Sequence, residues 1–225
     1  MCGRYALKTS VPEIARILDA EARADFAPSY NLAPTQLAPV CRASGEGDRE
    51  LVTLRWGLVP HWAKSMDDRY RMINARSETV ASKPAFRSPF RRRRCLIPVD
   101  GYYEWKRAGN RKQPYFLHRP DESPFFLAGV WDRWDKGDGE PVESFAIITS
   151  KAAGPAAEVH DRMPAILEKD HFDAWLDPGR QSAGELEDLL KPRDDADLQL
   201  RPVSTYVNNP RNNDPRCTEA LTGAC

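Results

Sequence analysis

Cys95-Leu96-Ile97-Pro98-Val99-Asp100-Gly101-Tyr102-Tyr103-Glu104-Trp105-Lys106 is the stretch that decides the fold. It holds two short runs rich in aromatic and β-branched side chains, 95–99 and 102–106, with turn residues between them. Three more such runs follow at 115–118, 125–131 and 144–150. Upstream, residues 2–7 are strand-like, and 37–42 and 50–56 read as two strands joined by a Gly/Asp/Ser turn around 45–48. Downstream, 159–167 is extended and 200–203 is a last strand before an Asn/Pro/Arg-rich tail. Helices are few. Ser10 and Pro12 open a short one with Ile14, Ile17 and Leu18 on one face. Another begins near Ser77, and 171–176 and 185–190 look helical. Residues 26–39 are Pro-rich and read as irregular. Many short strands with a few peripheral helices predict an α+β fold, a single domain over 1–225 built on antiparallel sheets around a barrel-like core.

The 225 residues suffice for a proper core, and 41% hydrophobic with 29% charged residues suits a soluble globular protein. No run approaches the roughly 18 apolar residues of a membrane span. No basic segment followed by an apolar one marks a signal peptide. The five cysteines (Cys2, Cys41, Cys95, Cys217, Cys225) are widely spaced, without a CxxC pair or a Cys/His spacing that suggests a metal. The expectation is a reduced, cytoplasmic setting (nucleoid-associated in a bacterium), a monomer, no membrane, no metal and no cofactor.

Net charge is zero but unevenly spread. Between Arg55 and Arg119 there are 16 Lys/Arg against 5 Asp/Glu, an excess of +11 that the rest of the chain balances. This segment contains Arg91-Arg92-Arg93-Arg94 and is interleaved with Trp56, Trp62, Tyr70, Phe86, Phe90, Tyr102, Tyr103 and Trp105. Cations that track phosphates and rings that stack on bases, at about 1–3 kcal/mol each, suit a single-stranded nucleic acid. The alternative is that the rings are core and the arginines a solvated face.

Chemistry points to the other end of the chain, Met1-Cys2-Gly3-Arg4-Tyr5. Removal of Met1 leaves a terminal cysteine with an α-amine (ordinary pKa about 7.7–8.0) and a thiol (about 8.5) on adjacent carbons. The amine condenses with an aldehyde to an imine, and the thiolate closes on the imine carbon as a five-membered thiazolidine. The plainer reading is a small apolar residue in a frayed or buried terminus. Four polar positions beside apolar runs bear on the choice: Asn74, Glu104, His160 and Arg162. A carboxyl flanked by Tyr103 and Trp105 would be partly desolvated, which raises its pKa towards the acid/base range. Histidine moves protons near neutrality, an amide orients through donor and acceptor, and Arg76 and Arg162 can hold phosphates bidentately. Each has an ordinary alternative: a helix cap for Asn74, an outward strand position for Glu104, a core histidine, and a local pair of Arg162 with Asp161.

The ordered set Met1–Tyr5, Tyr30-Asn31-Leu32-Ala33-Pro34-Thr35, Arg55-Trp56-Gly57-Leu58-Val59-Pro60, Asn74-Ala75-Arg76-Ser77-Glu78-Thr79, Gly101-Tyr102-Tyr103-Glu104-Trp105, Val159-His160-Asp161-Arg162-Met163-Pro164 and Val207-Asn208-Asn209-Pro210-Arg211 resembles the SOS-response-associated peptidase (SRAP) family along essentially the whole chain. The resemblance implies recognition of abasic sites in single-stranded DNA and their shielding by a covalent thiazolidine crosslink. It implies Cys2 as the crosslinking residue, Asn74 orienting the opened sugar, Glu104 as general acid/base and His160 assisting imine formation and reversal. Arg4, Arg76 and Arg162 would bind phosphate or line the site, and Trp62 would stack or wedge beside the lesion. It assigns no role to Arg91–Arg94 or Cys225. Two rivals stay open: an N-terminal-nucleophile hydrolase using Cys2 with its own amine as base, and a noncovalent single-strand binder in which Cys2 is incidental.

Overall fold

The computed structural model describes residues 2–45, 47–66, 72–109, 111–137, 139–191 and 197–221. Met1, Tyr70 and Cys225, which figure in the sequence reading, lie outside the described residues. The chain begins with β1 (Tyr5–Leu7), α1 (Val11–Leu18), β2 (Glu21–Ala22), β3 (Ser29–Leu32), β4 (Leu37–Ala43) and β5 (Arg49–Trp56). It continues through β6 (Asn74–Arg76), α2 (Ser77–Val80), α3 (Arg87–Arg92), β7 (Arg94–Val99), β8 (Gly101–Ala108) and β9 (Arg111–His118). It ends with β10 (Phe125–Trp134), β11 (Val142–Lys151), β12 (Arg162–Pro164), β13 (Ile166–Leu167), α4 (Phe172–Leu176), α5 (Ala183–Asp188) and β14 (Gln199–Pro202).

One sheet is antiparallel throughout, in the order β14-β9-β8-β1-β3. The other runs β12-β11-β10-β7-β4-β5-β2, and β11 also pairs with β5. That extra pairing closes β5, β4, β7, β10 and β11 into a five-stranded ring, the barrel-like core of the α+β fold. The antiparallel expectation holds for most ladders and gives way at the seam. The β5–β11, β6–β11 and β2–β5 pairings are parallel, as partners joined by a long crossover can be. Trp56 fills the seam, 5.1 Å from the Tyr5 ring and 6.4 Å from Phe145 (centroid to centroid).

Two elements depart from the sequence expectation. The stretch read as irregular over 26–39 contains β3, because Pro28 and Pro34 bracket rather than interrupt four residues free to pair, and Leu32 and Ser29 register with Tyr5 and Leu7. The basic, aromatic segment is largely core. Trp56, Phe90, Tyr102 and Tyr103 are fully buried, and Phe86 and Trp105 are half-buried. Trp62 is the exception, 41% exposed.

Two buried charges fix the corners. The Asp100 carboxylate, at the β7–β8 corner, accepts the amides of Lys8 and Thr9 and the Thr9 hydroxyl, pinning the exit of β1. Gly101 follows; a Cβ there would lie 2.6 Å from the Leu117 carbonyl oxygen and against the Phe116 ring, so only glycine allows this approach of β8 to β9. The arginine run divides. Arg91 and Arg92 are exposed, Arg93 pairs with the buried Asp132 at 2.9 Å, and Arg94 is 3% exposed. The Arg94 guanidinium donates to the backbone carbonyls of Phe90, Arg91, Trp175, Asp177 and Arg180, tying the ends of α3 and α4 to β7. Burial lowers its pKa to about 10, with Asp177 opposing. Replacing Arg94 by Ala orphans these carbonyls and is expected to cost roughly 3 kcal/mol in urea unfolding, by the cost of leaving buried acceptors unmet. Arg94→Lys is expected to recover only part of the loss, because one ammonium cannot span the fork. An Arg94→Ala variant as stable as the parent would contradict this role.

Candidate functional site

The site is assembled where β1 enters its sheet. Tyr5 and Ala6 register with Tyr102 and Gly101, and the Tyr103 amide donates to the Arg4 carbonyl at 2.9 Å. Continuing that register sets Gly3 opposite Glu104. Cys2 lies just beyond, wholly buried in the main core cluster with Tyr5, Trp56 and Tyr102. From the other sheet, β6 is held parallel on β11 (Asn74 opposite Ile147, Arg76 opposite Thr149). The Asn74 side-chain amide donates to the Cys2 carbonyl at 2.8 Å. Asn74 is thus no helix cap: the residue at the N-cap of α2 is Arg76, without a side-chain capping bond. The Asn74 Oδ1 is buried with no hydrogen-bond partner among the described residues.

Glu104 is 4% exposed. Strand alternation gives its neighbours different faces. Tyr102, two residues back, shares the core of Cys2, whereas Tyr103 and Trp105 pack into a second cluster with Ala6 and Phe116. The carboxyl is desolvated, and of its two flanking rings Trp105 lines the same cleft while Tyr103 packs in the second cluster. Burial raises its pKa, and His160 opposes in part. The Cys2 thiol is also held well above its ordinary range, by burial first and the nearby Glu104 carboxyl second, with the Arg4 amide opposing. The hydroxyls of Tyr5 and Tyr102, likewise wholly buried, have no hydrogen-bond partner among the described residues.

His160 joins two clefts. One, of about 430 Å³, is lined by Glu104, Trp105, Arg107, Lys112, Val159 and His160. The other, of about 600 Å³, is lined by Arg76, Glu78, Thr79, His160, Asp161 and Arg162. The His160 Nδ1 accepts the Arg162 amide at 2.9 Å and also lies 2.7 Å from the Asp161 carboxylate. The two contacts need opposite roles of one nitrogen, so only one of them is a hydrogen bond at a time. Arg162 does not pair with Asp161. Its guanidinium is bidentate on Glu78 (2.5 and 2.9 Å) and donates to the Thr149 carbonyl at 2.5 Å. Arg76, in contrast, is exposed at the mouth.

The structure therefore brings Cys2, Asn74, Glu104 and His160 into one continuous neighbourhood, with Arg76 and Arg162 on its rim. It sets Arg4 and Trp62 apart. The Arg4 guanidinium donates to Asn31 Oδ1 at 2.8 Å and to the Val207 carbonyl at 3.0 Å, linking β1 to β3 and the C-terminal segment. Burial lowers its pKa. Trp62 sits on a braced loop: the His61 amide and ring both contact the buried Asp132 carboxylate, the Val59 amide donates to Ser144, and the Trp134 indole donates to the Ala63 carbonyl. Sequence reading missed Tyr102, Glu78, Arg107 and Lys112 as neighbours of the site. The two-residue step from Glu104 to Tyr102 was an available signal; the Glu78–Arg162 pairing left none.

Comparison with known proteins bears on the family of the chain. The family model described as SOS response associated peptidase (SRAP) matches residues 1–210. "Abasic site processing protein YoaM" of Bacillus subtilis is 39% identical over 98% of this chain and 98% of its own length. "Abasic site processing protein HMCES" of Gallus gallus is 32% identical over 96% of this chain and 77% of its own. A crystal structure of a Bacteroides thetaiotaomicron protein superposes with a TM-score of 0.86 at 29% identity, covering 98% of this chain and all of that one. With a family model spanning nearly the whole chain and relatives of this identity along its length, the protein belongs to the SOS response associated peptidase family.

Proposed function

We propose that the protein, acting as one domain over 1–225, captures abasic sites in single-stranded DNA by a covalent bond through Cys2. One observation carries the reading: the residue that becomes the N-terminus when Met1 is removed is buried inside the sheet, its carbonyl gripped by Asn74 and a raised-pKa carboxyl beside it. A frayed terminus has none of these. Relatives named abasic site processing proteins support the same lesion.

In the proposed sequence, the Cys2 amine attacks the open-chain aldehyde of the abasic sugar to give a carbinolamine. Protonated Glu104, whose proton burial retains to higher pH, donates to the departing hydroxyl and water leaves. Asn74 orients the opened sugar, and His160 shuttles protons between Glu104 and the open clefts. The thiol then closes on the protonated imine: the sulfur–carbon bond forms, the π pair goes to nitrogen, and the thiol proton returns to the Glu104 carboxylate. Closure removes the imine that would otherwise permit β-elimination of the strand. Exposed Arg76 meets a flanking phosphate; Arg162 does so by exchanging its Glu78 carboxylate for one. Trp62 stacks on a neighbouring base. Arg4, tied to Asn31 and Val207, stands apart from the site and acts on it by fixing the chain between Cys2 and β1.

The family's name keeps a second reading in view, a peptidase with Cys2 as nucleophile. A denaturing gel separates the two. Met1-processed protein mixed with abasic single-stranded oligonucleotide is expected to give a heat-stable shifted band, absent with intact oligonucleotide and with Cys2→Ala or Cys2→Ser. Cys2→Ala, which keeps an amine, is expected to nick the abasic strand without a stable adduct. No band from protein with a verified free Cys2 terminus would overturn the proposal, and Cys2-dependent turnover of peptides would favour the rival.

Glu104 also predicts a pH signature. The folded chain holds this proton to higher pH than the unfolded chain. The carboxyl's contribution to stability is therefore full in acid and falls as pH rises above the ordinary carboxylate range of about 4.3. Glu104→Gln removes that loss. It is expected to raise the melting temperature relative to parent at pH 8, with a smaller difference at pH 4, while slowing adduct formation about 100-fold or more. A difference that grows towards acid would contradict the assignment.

A further inference from the structure

The proposed chemistry leaves the Cys2 thiol with an unsolved problem. It is wholly buried and protonated, and it must lose its proton at the moment the ring closes. Glu104 lies beside it, and a second buried group, Tyr102, shares the face of Glu104. It precedes Glu104 by two residues on one face of β8, registers with Tyr5 on β1, and packs in the core cluster that contains Cys2. Its ring is wholly buried, yet its hydroxyl has no hydrogen-bond partner among the described residues. Such a buried, unmet hydroxyl ordinarily costs stability and calls for an explanation.

We propose that the Tyr102 hydroxyl is the proton-passing group between the Cys2 sulfur and the Glu104 carboxylate during ring closure, an inference that rests on the capture reaction above. The electrostatic environment agrees: the Tyr102 phenol is held well above its ordinary range by burial first, then by Cys2 and Glu104, the two groups it would bridge. The step balances. After Glu104 has given its proton to the departing water, it is a carboxylate. The thiol gives its proton to the phenol oxygen as the phenol proton moves to Glu104, and the thiolate pair forms the carbon–sulfur bond. The π pair of the protonated imine settles on nitrogen. Glu104 regains the proton it lent, and no oxidant or second reactant is needed. Tyr5 offers the contrast. Its hydroxyl is equally buried and has no partner among the described residues, but its ring lies against Trp56, and the groups that raise its pKa after burial are Cys2 and Cys95 rather than Glu104.

The test uses Met1-processed protein and a small aldehyde, glycolaldehyde, which needs no DNA contacts. Borohydride traps the imine but not the thiazolidine, so mass spectrometry reads the two stages separately across pH 5–9. Tyr102→Phe removes one oxygen that has no partner among the described residues, and thermal melting checks that the fold is kept. The expected result is closure slowed at least 10-fold with a larger trappable imine fraction, and a pH profile displaced upward, because bulk base must now take the thiol proton. Tyr5→Phe is expected to leave the profile in place. Parent capture with an unchanged Tyr102→Phe rate and pH profile overturns this inference alone, as do equal effects from the two tyrosines. A parent that forms neither imine nor thiazolidine overturns the capture reading and this inference with it. Should Tyr102→Phe fail to fold, 3-fluorotyrosine at position 102 gives the same decision: a closure profile displaced downward supports the relay, and an unmoved one overturns it.

Discussion

The pairing of β1 between β3 and β8 is the constraint on which the site depends. An N-terminal strand in the middle of a sheet has its backbone groups met from both sides, and the Asp100 carboxylate closes its exit. Chain ends usually fray because nothing rewards their ordering. Here the ladder to β8 draws Cys2 inward beside Glu104, and the Asn74 amide on the opposite sheet holds its carbonyl. Arg4 serves the same end from the other face, through Asn31 and Val207. The strand that would carry the nucleophile is thus also the strand that joins two parts of the fold.

Burial then sets the chemistry. Desolvation favours the neutral form of both the Cys2 thiol and the Glu104 carboxyl. A neutral carboxyl suits the expulsion of water, but a neutral thiol does not suit attack on carbon. The two demands are reconciled if the proton is moved late and locally, within the cluster, rather than lost to solvent beforehand. The charged groups stand at the rim instead. Arg76 is exposed, while Arg162 is occupied by Glu78. A charge already paired is a weaker lure for phosphate than a bare one, so in the proposed function the rim would attract the strand in a graded rather than uniform way.

Much of the architecture was legible in the sequence, because short aromatic and β-branched runs bounded by turn residues have few other fates. The strands from Arg94 to Lys151 and the Ser10-capped helix fall close to where their patterns place them. β3 was hidden by the prolines on either side of it. The parallel seam between β5 and β11 was hidden because local pattern carries no information about distant partners. Among the site residues, the burial of Glu104 was anticipated from its flanking rings, while the sharing of its face by Tyr102 was not. Asn74 reaching Cys2 and Glu78 reaching Arg162 are contacts across 72 and 84 positions of chain, beyond any local rule. The fate of the rings in the basic segment was hidden for a related reason. Composition records arginines and rings without recording that Arg94 is spent on carbonyls and Trp56 on the core.

The central claim, that one residue supplies both bonds to the lesion, is tested most directly by tandem mass spectrometry of the nuclease- and trypsin-digested adduct. The account expects the sugar remnant on the peptide Cys2-Gly3-Arg4, attached through both the α-nitrogen and the sulfur, so that the Cys2 thiol resists alkylation. A remnant on a lysine or an internal cysteine, or a remnant at the α-nitrogen with the Cys2 thiol still alkylatable, would contradict it.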